Sequence, residues 1–381
     1  MSGNATGQVQ ILLAAGGTGG HMFPAEALAE VLLSRGCKVD LVTDERGQGF
    51  GDRLPQVTVH RVAAGGVAGK GIAAKLKNIG RLGLGYLQCR KLIRRLDPAV
   101  AVGFGGYPSV PPLLAAQQHQ NRTLLHEQNA VAGRANRFLM KHASKVALSF
   151  ERVKFCEKLP ADKVLVTGNP VRPAIAALAD RPYRPPEPGG PFHLLVFGGS
   201  LGARSFSQHV PASLALMSED LRRRLRIVQQ CRPEDIDAVA ATYREAGIEV
   251  ELKPFFDDMA ARLDWAHLVL SRAGASTVAE LTAAGRPAIM VPLPHAIDDH
   301  QLANARAVEE RGGAWVLTEA AFSPSSVAER LTSFSGAPER LAAAAAAARS
   351  LGKRDAAARL ADAVIDLVPA SQRGRLNAET K

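Results

Sequence analysis

Two glycine-rich turns, each after a short apolar run, contain the residues best suited to bind phosphate. Gly16-Gly17-Thr18-Gly19-Gly20-His21 follows Ile11–Ala15, and Gly198-Gly199-Ser200-Leu201-Gly202-Ala203 follows Leu194–Phe197. A buried strand, a glycine turn and then a helix leave unpaired backbone N–H groups at the helix start, where the helix dipole favours an anion. The repeated arrangement predicts two similar domains that face one phosphorylated ligand.

His21 is the residue of the first turn that could act as a base. It falls in the first turn of the predicted helix, where the positive end of the dipole favours a neutral imidazole, so a proton acceptor is available near pH 7. The alternative is a histidine that only caps the turn. A dinucleotide-binding fingerprint is excluded by spacing, because its third glycine, counted from Gly17, falls on Met22.

Polar residues also follow two other predicted strands, at the sheet edge where open α/β folds bind ligands. Gly105-Gly106-Tyr107-Pro108-Ser109 follows one strand, and His126-Glu127-Gln128-Asn129 follows the other. Glu127 is a second candidate for the base, and the sequence does not choose between it and His21. Loop hydrogen bonding and helix capping are the alternative roles for Gln128 and Asn129.

Arg172 and Glu280 are the charged residues that we expect to recognise a nucleotide. Arg172 precedes an expected linker, and an arginine can donate two hydrogen bonds to one phosphate, although a surface salt bridge is its commoner role. Ala275–Glu280 begins a predicted helix, whose first N–H groups can bind phosphate while Glu280 accepts from the ribose hydroxyls. A capping box formed by Thr277 and Glu280 is the alternative.

The segment Pro292–Asn304 places several hydrogen-bonding side chains, His300 and Gln301 among them, after a predicted strand. Its histidines and aspartates are metal-ligand types, but two prolines and the loop setting favour a polar sugar pocket. Asp235-Ile236-Asp237 matches the Asp-x-Asp pair of metal-dependent sugar transfer, yet a helix start favours acids without any metal. We therefore expect neither a metal site nor a cofactor.

The elements that must position these residues alternate between apolar strands and helices, which is typical of parallel sheets with crossover helices. Strands are predicted at Gln10–Ala15, Lys38–Thr43, Val57–Val62, Ala99–Phe104, Thr123–Glu127, Lys145–Ser149, Lys163–Val166, His193–Phe197, Arg226–Gln230, Ile248–Leu252, Leu268–Ser271, Ala288–Val291 and Ala314–Leu317. Helices are predicted at Pro24–Arg35, Lys75–Leu96, Val110–Gln118, Ala130–Lys141, Pro338–Leu351 and Asp355–Val368, and from about Ser205, Pro233, Asp257, Ser276 and Gln301. Arg181–Pro191 is too rich in proline for regular structure and predicts a linker.

Length and composition limit the class of protein. The 381 residues exceed one ordinary core and fit two domains, and 46% hydrophobic with 22% charged residues is typical of a globular protein. No apolar run approaches the roughly 20 residues of a membrane span. Met1–Gln8 lacks the features of a signal peptide, so we expect a cytoplasmic chain. The cysteines lack metal-ligand spacing and are expected to be reduced thiols.

Much of the net charge of +11 lies between Lys70 and Arg95, where basic residues alternate with apolar ones. Such a stretch can bind an anionic membrane surface or nucleic acid. A core-facing helix with a solvated basic side is the third possibility, and periodicity alone favours it slightly. Nucleic acid is not expected, because the stretch lacks a binding motif and offers only Tyr86 for stacking.

The ordered set of these motifs, from about Ile11 to about Asn304, resembles the MurG family of bacterial UDP-N-acetylglucosamine transferases. The resemblance implies an α/β GT-B glycosyltransferase fold, with two Rossmann-like domains whose parallel sheets face a central cleft. The implied domains are 8–175 for the acceptor and 193–352 for the donor, with a linker at 176–192 and a helix at about 353–369 that returns to the first domain. The implied reaction is inverting, metal-independent transfer from UDP-N-acetylglucosamine to the C4 hydroxyl of MurNAc in undecaprenyl-pyrophosphoryl-MurNAc-pentapeptide.

The resemblance also implies roles for individual residues. His21 takes the acceptor's proton. The residues expected to approach the N-acetylglucosamine or the acceptor diphosphate are Thr18, Gly19, Gly20 and Asn129. The residues expected to bind the donor are Arg172 and Ser200 at the diphosphate, Phe256 near uracil, Ala275, Ser276, Thr277, Val278, Ala279 and Glu280 at phosphate and ribose, and His300 and Gln301 at the sugar. Phe256 departs from the family pattern, in which an aliphatic residue is common there.

Because the implied acceptor is a lipid diphosphate, the resemblance makes Lys70–Arg95 the expected docking surface for an anionic membrane. It places the chain at the cytoplasmic face of the bacterial cell membrane as a peripheral protein. Two other classes remain open. An enzyme like UDP-N-acetylglucosamine 2-epimerase would share the fold but need no membrane face, and a non-enzymatic nucleotide-binding module would not need His21.

Overall fold

The computed structural model describes residues 7–16, 19–45, 54–64, 72–199 and 202–377, and only the backbone of residues 72–79. Two compact units divide the chain. The first unit comprises Met1–Val171 and Asp355–Lys381, and the second unit comprises Arg172–Arg354. No helix among the described residues is long and apolar enough to cross a membrane.

The first unit contains a sheet in which every strand pair is parallel. Its strands are β1 (Gln10–Ala14), β2 (Lys38–Thr43), β3 (Thr58–Arg61), β4 (Val100–Gly103), β5 (Arg122–Glu127), β6 (Lys145–Leu148) and β7 (Val164–Val166). They lie in the order β3-β2-β1-β4-β5-β6-β7, with Leu13 of β1 opposite Leu41 on one side and Val102 on the other. Because the strand order reverses between β1 and β4, a crevice opens at the carboxyl ends of these two strands.

From Ile11 onwards, the sequence of β1 is apolar because both faces of the sheet are covered. Ile11 and Leu13 enter the core on one face, and Leu12 and Ala14 enter the core on the other. The helices of this unit are Gly19–Ser34, Ile72–Leu96, Val110–Gln118, Arg134–Leu139, Ala356–Leu367 and Ala370–Arg373. The helix Ala356–Leu367 packs against Gly19–Ser34, and Arg35 donates to Asp362 at 2.6 Å beside that contact.

The second unit repeats the parallel arrangement. Its strands are β8 (Phe192–Phe197), β9 (Leu225–Gln230), β10 (Val250–Lys253), β11 (Leu268–Ser271), β12 (Ala288–Met290) and β13 (Ala314–Val316), in the order β10-β9-β8-β11-β12-β13. Its helices are Pro173–Ala176, Arg204–Ser213, Glu219–Arg224, Ile236–Glu245, Met259–Trp265, Ala275–Ala284, His300–Glu309, Pro324–Ser335 and Pro338–Leu351. The order reverses between β8 and β11, so the loops after these two strands flank the crevice.

Two local predictions differ from the structure. The helix predicted at Ala130–Lys141 is only Arg134–Leu139, because the backbone before it forms a β-bridge between Val131 and Lys154. Lys154 N donates to Ala130 O at 2.8 Å and Ala132 N donates to Lys154 O at 3.0 Å, so these groups cannot join a helix. The segment predicted as linker from residue 176 instead begins with a helical turn at Ala177–Asp180, because Leu178 is buried in the second unit.

Candidate functional site

His21 lies in the first turn of the helix Gly19–Ser34, directly after β1. Its ring rests against glycine backbone from two turns. A Cβ placed on Gly106 would lie 3.3 Å from His21 Cδ2, and one placed on Gly105 would lie 3.5 Å from Cε1. Both glycines have positive φ, 86° at Gly105 and 75° at Gly106. The Gly-Gly pair after β4 therefore provides both the backbone conformation and the space that the imidazole needs.

Glu127 is buried, with 1% of its surface exposed, at the end of β5. Its carboxylate accepts hydrogen bonds from Asn129 N at 3.0 Å, Gly133 N at 2.9 Å and Asn136 Nδ2 at 2.8 Å. Asn129 Nδ2 lies farther away, at 3.4 Å. These donors occupy both carboxylate oxygens, so the geometry favours Glu127 as the residue that holds the loop after β5 and leaves His21 as the better candidate for the base.

Asn169 lies in the loop after β7 of the same unit and is 5% exposed. Neither its amide nitrogen nor its amide oxygen has a hydrogen-bond partner among the described residues. An unpaired buried polar group costs about 1–3 kcal/mol, so a ligand or water is expected to bind here. In the sequence, Asn169 belongs to Gly168-Asn169-Pro170-Val171-Arg172, which follows a predicted strand and ends at Arg172.

In the second unit, the helix Ala275–Ala284 begins at a backbone that no side chain caps. Its N-cap residue is Gly274, with extended backbone (φ −63°, ψ 149°) and no side-chain hydrogen bond. The capping box considered for Thr277 is therefore wrong, because Thr277 lies inside the helix. Ser276 Oγ is buried without a hydrogen-bond partner among the described residues. An uncapped start with an unpaired hydroxyl is suited to an anion.

Arg172 and Glu280 form an ion pair within the second unit. Arg172 donates from Nε at 2.9 Å, and its Nη2 lies 2.8 Å away, both to the same carboxylate oxygen, Oε1 of Glu280. Burial raises the pKa of the Glu280 carboxyl above its usual range, and the Arg172 guanidinium opposes that rise. The ion pair was not predicted, and it brings the residue expected at phosphate next to the residue expected at ribose.

The helix His300–Glu309 connects the loops that follow β11 and β12. Gln301 Oε1 accepts from Leu293 N at 2.9 Å and from Ala273 N at 3.3 Å, and Asn304 Nδ2 donates to Ala273 O at 3.1 Å. The amide oxygen of Gln301 is thus used inside the unit, and its amide N–H groups are the part that suits a sugar hydroxyl. His300 Nδ1 lies 2.8 Å from Ile297 O.

The second glycine turn is connected to the loop after β10 by Gln230, which sequence reasoning missed. Its Oε1 accepts from Gly198 N at 3.0 Å, and its Nε2 donates to Gly199 O at 2.9 Å and to Pro254 O at 3.1 Å. Phe256 in that loop is buried and Arg262 lies over its ring, 5.4 Å from the centroid. Its proximity to uracil stays a prediction.

Thr18 and Ser200, expected at phosphates, lie outside the described residues, and so does the start of the basic stretch at Lys70. In the described part of the chain, no group of three or more His, Cys, Asp and Glu residues could hold a metal ion. All four cysteines are free and buried.

The helix Ile72–Leu96 presents leucines and basic residues on its exposed side. Leu84 is 53% exposed and Leu87 is 59% exposed, and the exposed Lys91, Arg94 and Arg95 follow within two turns. Residues 53–150 contain 15 Lys and Arg but only two Asp and Glu, so their formal charge of +13 exceeds the +11 of the whole chain. Residues 53–150 are therefore strongly basic in sequence, and the exposed Leu84 and Leu87 lie among them.

Comparisons with known proteins identify the family. The glycosyltransferase family 28 N-terminal domain matches residues 11–148, and the family 28 C-terminal domain matches residues 193–360. A protein of Rhodospirillum centenum named UDP-N-acetylglucosamine--N-acetylmuramyl-(pentapeptide) pyrophosphoryl-undecaprenol N-acetylglucosamine transferase is 53% identical over 355 residues, which is 93% of each chain. A relative of the same name from Paramagnetospirillum magneticum is 52% identical over 94% of this chain and 97% of its own.

Solved structures with a similar fold include a transferase and an epimerase. Acinetobacter baumannii MurG has a TM-score of 0.76 at 28% identity, over 94% of this chain and 99% of that one. The predicted GT-B fold is thereby confirmed. A UDP-GlcNAc 2-epimerase from Neisseria meningitidis has a TM-score of 0.66 at 13% identity, over 94% and 100% of the two chains, which shows the fold alone. The chain therefore belongs to glycosyltransferase family 28 and, within it, to the UDP-N-acetylglucosamine--N-acetylmuramyl-(pentapeptide) pyrophosphoryl-undecaprenol N-acetylglucosamine transferases.

Proposed function

We propose that this chain transfers N-acetylglucosamine from UDP-N-acetylglucosamine to the C4 hydroxyl of MurNAc in undecaprenyl-pyrophosphoryl-MurNAc-pentapeptide. The observation that carries the proposal is the uncapped helix start with an unpaired Ser276 hydroxyl in the second unit, in a chain 53% identical to a transferase of that name over 93% of its length. The second unit binds the donor and the first unit binds the acceptor.

The donor diphosphate binds at the start of the helix Ala275–Ala284. The N–H groups of Ala275, Ser276 and Thr277 point away from the helix body, and the Ser276 hydroxyl adds a fourth donor. Glu280, one turn further, accepts hydrogen bonds from the ribose hydroxyls through Oε2, because Arg172 occupies Oε1. The positive charge of Arg172 stabilises the negative charge that develops on UDP.

The reaction is a single displacement at the anomeric carbon. The C4 oxygen bonds to C1 of N-acetylglucosamine on the face opposite UDP, the bond from C1 to the phosphate oxygen breaks, and its electron pair leaves with UDP. His21 accepts the proton of the C4 hydroxyl, a contribution of about 10²–10⁴-fold when the base is well placed. The configuration at C1 inverts because one displacement occurs.

The acceptor's polyprenyl chain stays in the lipid bilayer, so the first unit must reach the membrane surface. Leu84 and Leu87 insert into the interface, and the basic residues around them bind anionic headgroups, each about 1 kcal/mol near the surface. Accordingly, we place the protein at the cytoplasmic face of the bacterial cell membrane.

The test is transfer of labelled N-acetylglucosamine from its UDP donor to detergent-solubilised lipid-diphosphate MurNAc-pentapeptide with EDTA present. Lipid-linked disaccharide should form at the same rate with and without EDTA. Donor binding without product, even after magnesium is restored, would refute the transferase proposal. Conversion of the donor to its 2-epimer without an acceptor would instead indicate an epimerase.

A further inference from the structure

Three side chains of the first unit form a continuous chain of hydrogen bonds that ends at a backbone carbonyl. His21 Nδ1 lies 3.2 Å from Gln128 Oε1, Gln128 Nε2 lies 3.0 Å from His126 Nδ1, and His126 Nε2 lies 3.0 Å from Gly168 O. Gln128 and His126 are 1% and 0% exposed, so both contacts of the His126 ring are buried, and the contact between His21 and Gln128 is partly buried.

The direction of each hydrogen bond follows from two backbone carbonyls, which can only accept. Gly168 O requires a hydrogen on His126 Nε2, so the lone pair of the neutral His126 ring is on Nδ1. His126 O lies 3.0 Å from Gln128 Nε2, which fixes the orientation of the Gln128 amide. The Gln128 amide nitrogen then donates to His126 Nδ1, as a neutral His126 requires.

The neutral state of His126 is independently favoured by its surroundings. Burial and, to a smaller extent, the neighbouring His21 lower the pKa of His126 to about 4, although the hydrogen bond to the Gly168 carbonyl opposes the shift. At neutral pH the ring therefore accepts at Nδ1 and donates at Nε2. The orientation of the chain does not reverse in the range where the enzyme would work.

The last contact then decides the tautomer of His21. Gln128 Oε1 is an acceptor, so His21 Nδ1 must carry its hydrogen, and the lone pair of the neutral ring lies on Nε2. The opposite tautomer would place two lone pairs against each other at 3.2 Å. The Nε2 edge is the one that faces Gly106, where a Cβ would lie 3.5 Å away.

We infer that Gln128 and His126 are positioning residues that hold His21 in the tautomer with its basic lone pair on Nε2. The inference rests on the proposed role of His21 as the base. The proton of the acceptor hydroxyl passes to Nε2 as the new C–O bond forms, and Nδ1–H remains bonded to a neutral amide. Unlike a carboxylate at this position, the Gln128 amide carries no negative charge that would stabilise an imidazolium.

The first experiment measures the tautomer in the full-length protein. Long-range 1H–15N spectra of histidine-labelled protein at pH 7.5, with the His21 signals assigned from their loss in His21→Gln, distinguish a ring protonated at Nδ1 from one protonated at Nε2. Protonation of His21 at Nδ1 is expected. Protonation at Nε2 in the wild type would overturn the inference without any variant, and this readout does not depend on activity.

The second experiment replaces the connecting amide. Gln128→Met keeps the side-chain length but removes both amide contacts. Gln117→Met is the matched control, because the Gln117 side chain donates to Leu139 O in the same unit, at 3.2 Å. We expect Gln128→Met to shift His21 towards the Nε2-protonated form and to lower kcat at least tenfold, with the KM for UDP-N-acetylglucosamine within twofold of wild type. Gln117→Met should change neither the tautomer of His21 nor kcat.

Two outcomes separate this inference from the proposed function. A changed tautomer with unchanged kcat in Gln128→Met would overturn the positioning role. Full turnover in His21→Gln would instead refute the role of His21 as the base. The wild-type spectra would still report the tautomer of His21. If Gln128→Met does not fold, His126→Phe tests the next member of the chain, and retention of both the Nδ1 protonation and the wild-type kcat in that variant would overturn the inference.

Discussion

Gly106→Ala tests how closely the imidazole of His21 is held. Gly106 has φ 75° and ψ 158°, a region that is essentially restricted to glycine, so an alanine there costs of order 1–3 kcal/mol in backbone strain. Its Cβ would also lie 3.3 Å from His21 Cδ2 and 3.5 Å from Nε2. The ring must therefore move by a few tenths of an ångström. Since a displacement of 1 Å can cost about 100-fold, we expect kcat to fall about tenfold, or about 1.4 kcal/mol in the barrier.

The control for Gly106→Ala is Gly189→Ala in the second unit. Gly189 has a similar φ of 72°, but a Cβ there would meet nothing within 4 Å. Both variants should lose stability through backbone strain, about 2–4 °C in melting temperature per kcal/mol, and only Gly106→Ala should lose kcat. The assay compares thermal melting with steady-state transfer below both melting temperatures. An unchanged kcat in Gly106→Ala, with the expected loss of stability, would refute the placement of the reacting histidine against this glycine.

Three further predictions concern the donor, the membrane and pH. Glu280→Gln weakens the ion pair with Arg172, and with the amide oxygen held by Arg172 it replaces the proposed ribose acceptor Oε2 with an NH2 donor. Because hydrogen bonds to charged groups contribute about 1.5–3 kcal/mol, the UDP affinity measured by calorimetry should fall roughly 10–100-fold. Unchanged affinity would contradict the role of Glu280. Leu87→Ser should reduce sedimentation of the protein with anionic vesicles severalfold. The control Leu216→Ser should not, although Leu216 in the second unit is also 59% exposed. Equal effects of the two substitutions would exclude Leu87 from membrane docking. Burial and the neighbouring His193 lower the pKa of His267 from 6.5 to about 4. As the pH drops from about 6.5 to 4, the unfolded chain therefore binds this proton before the folded chain does, and the free energy of unfolding should fall. Urea titrations of wild type and His267→Phe should give stabilities that diverge over that interval, and parallel curves would contradict the assignment.

Strand positions were predictable because the sheets are parallel and covered on both faces, which makes their strands nearly continuous apolar runs. Lys38–Thr43 and Leu268–Ser271 were predicted with their observed bounds. The helix Pro324–Ser335 was missed, although Ser323 followed by Pro324 is a recognisable start, and Ser323 and Ser326 form a capping box there. The helix at Arg134 was predicted too long, since the bridge between Val131 and Lys154 depends on residues distant in sequence.

The candidate site was predictable in its residue types and less so in its contacts. Glycine turns identified His21 and the helix start at Ala275 because their composition reflects local backbone geometry. The ion pair between Arg172 and Glu280 joins positions more than 100 residues apart, and only packing brings them together. Gln128 looked like a loop or capping residue, and its contact with His21 joins the segments that follow β1 and β5, which no local sequence pattern indicates.

The most direct measurement compares UDP binding with transfer in His21→Ala. We expect the dissociation constant for UDP to stay within twofold of wild type, because the donor binds in the second unit. We expect kcat to fall by about 10²–10⁴-fold, because the variant lacks the base. Wild-type kcat in His21→Ala would contradict the role of His21 as the base.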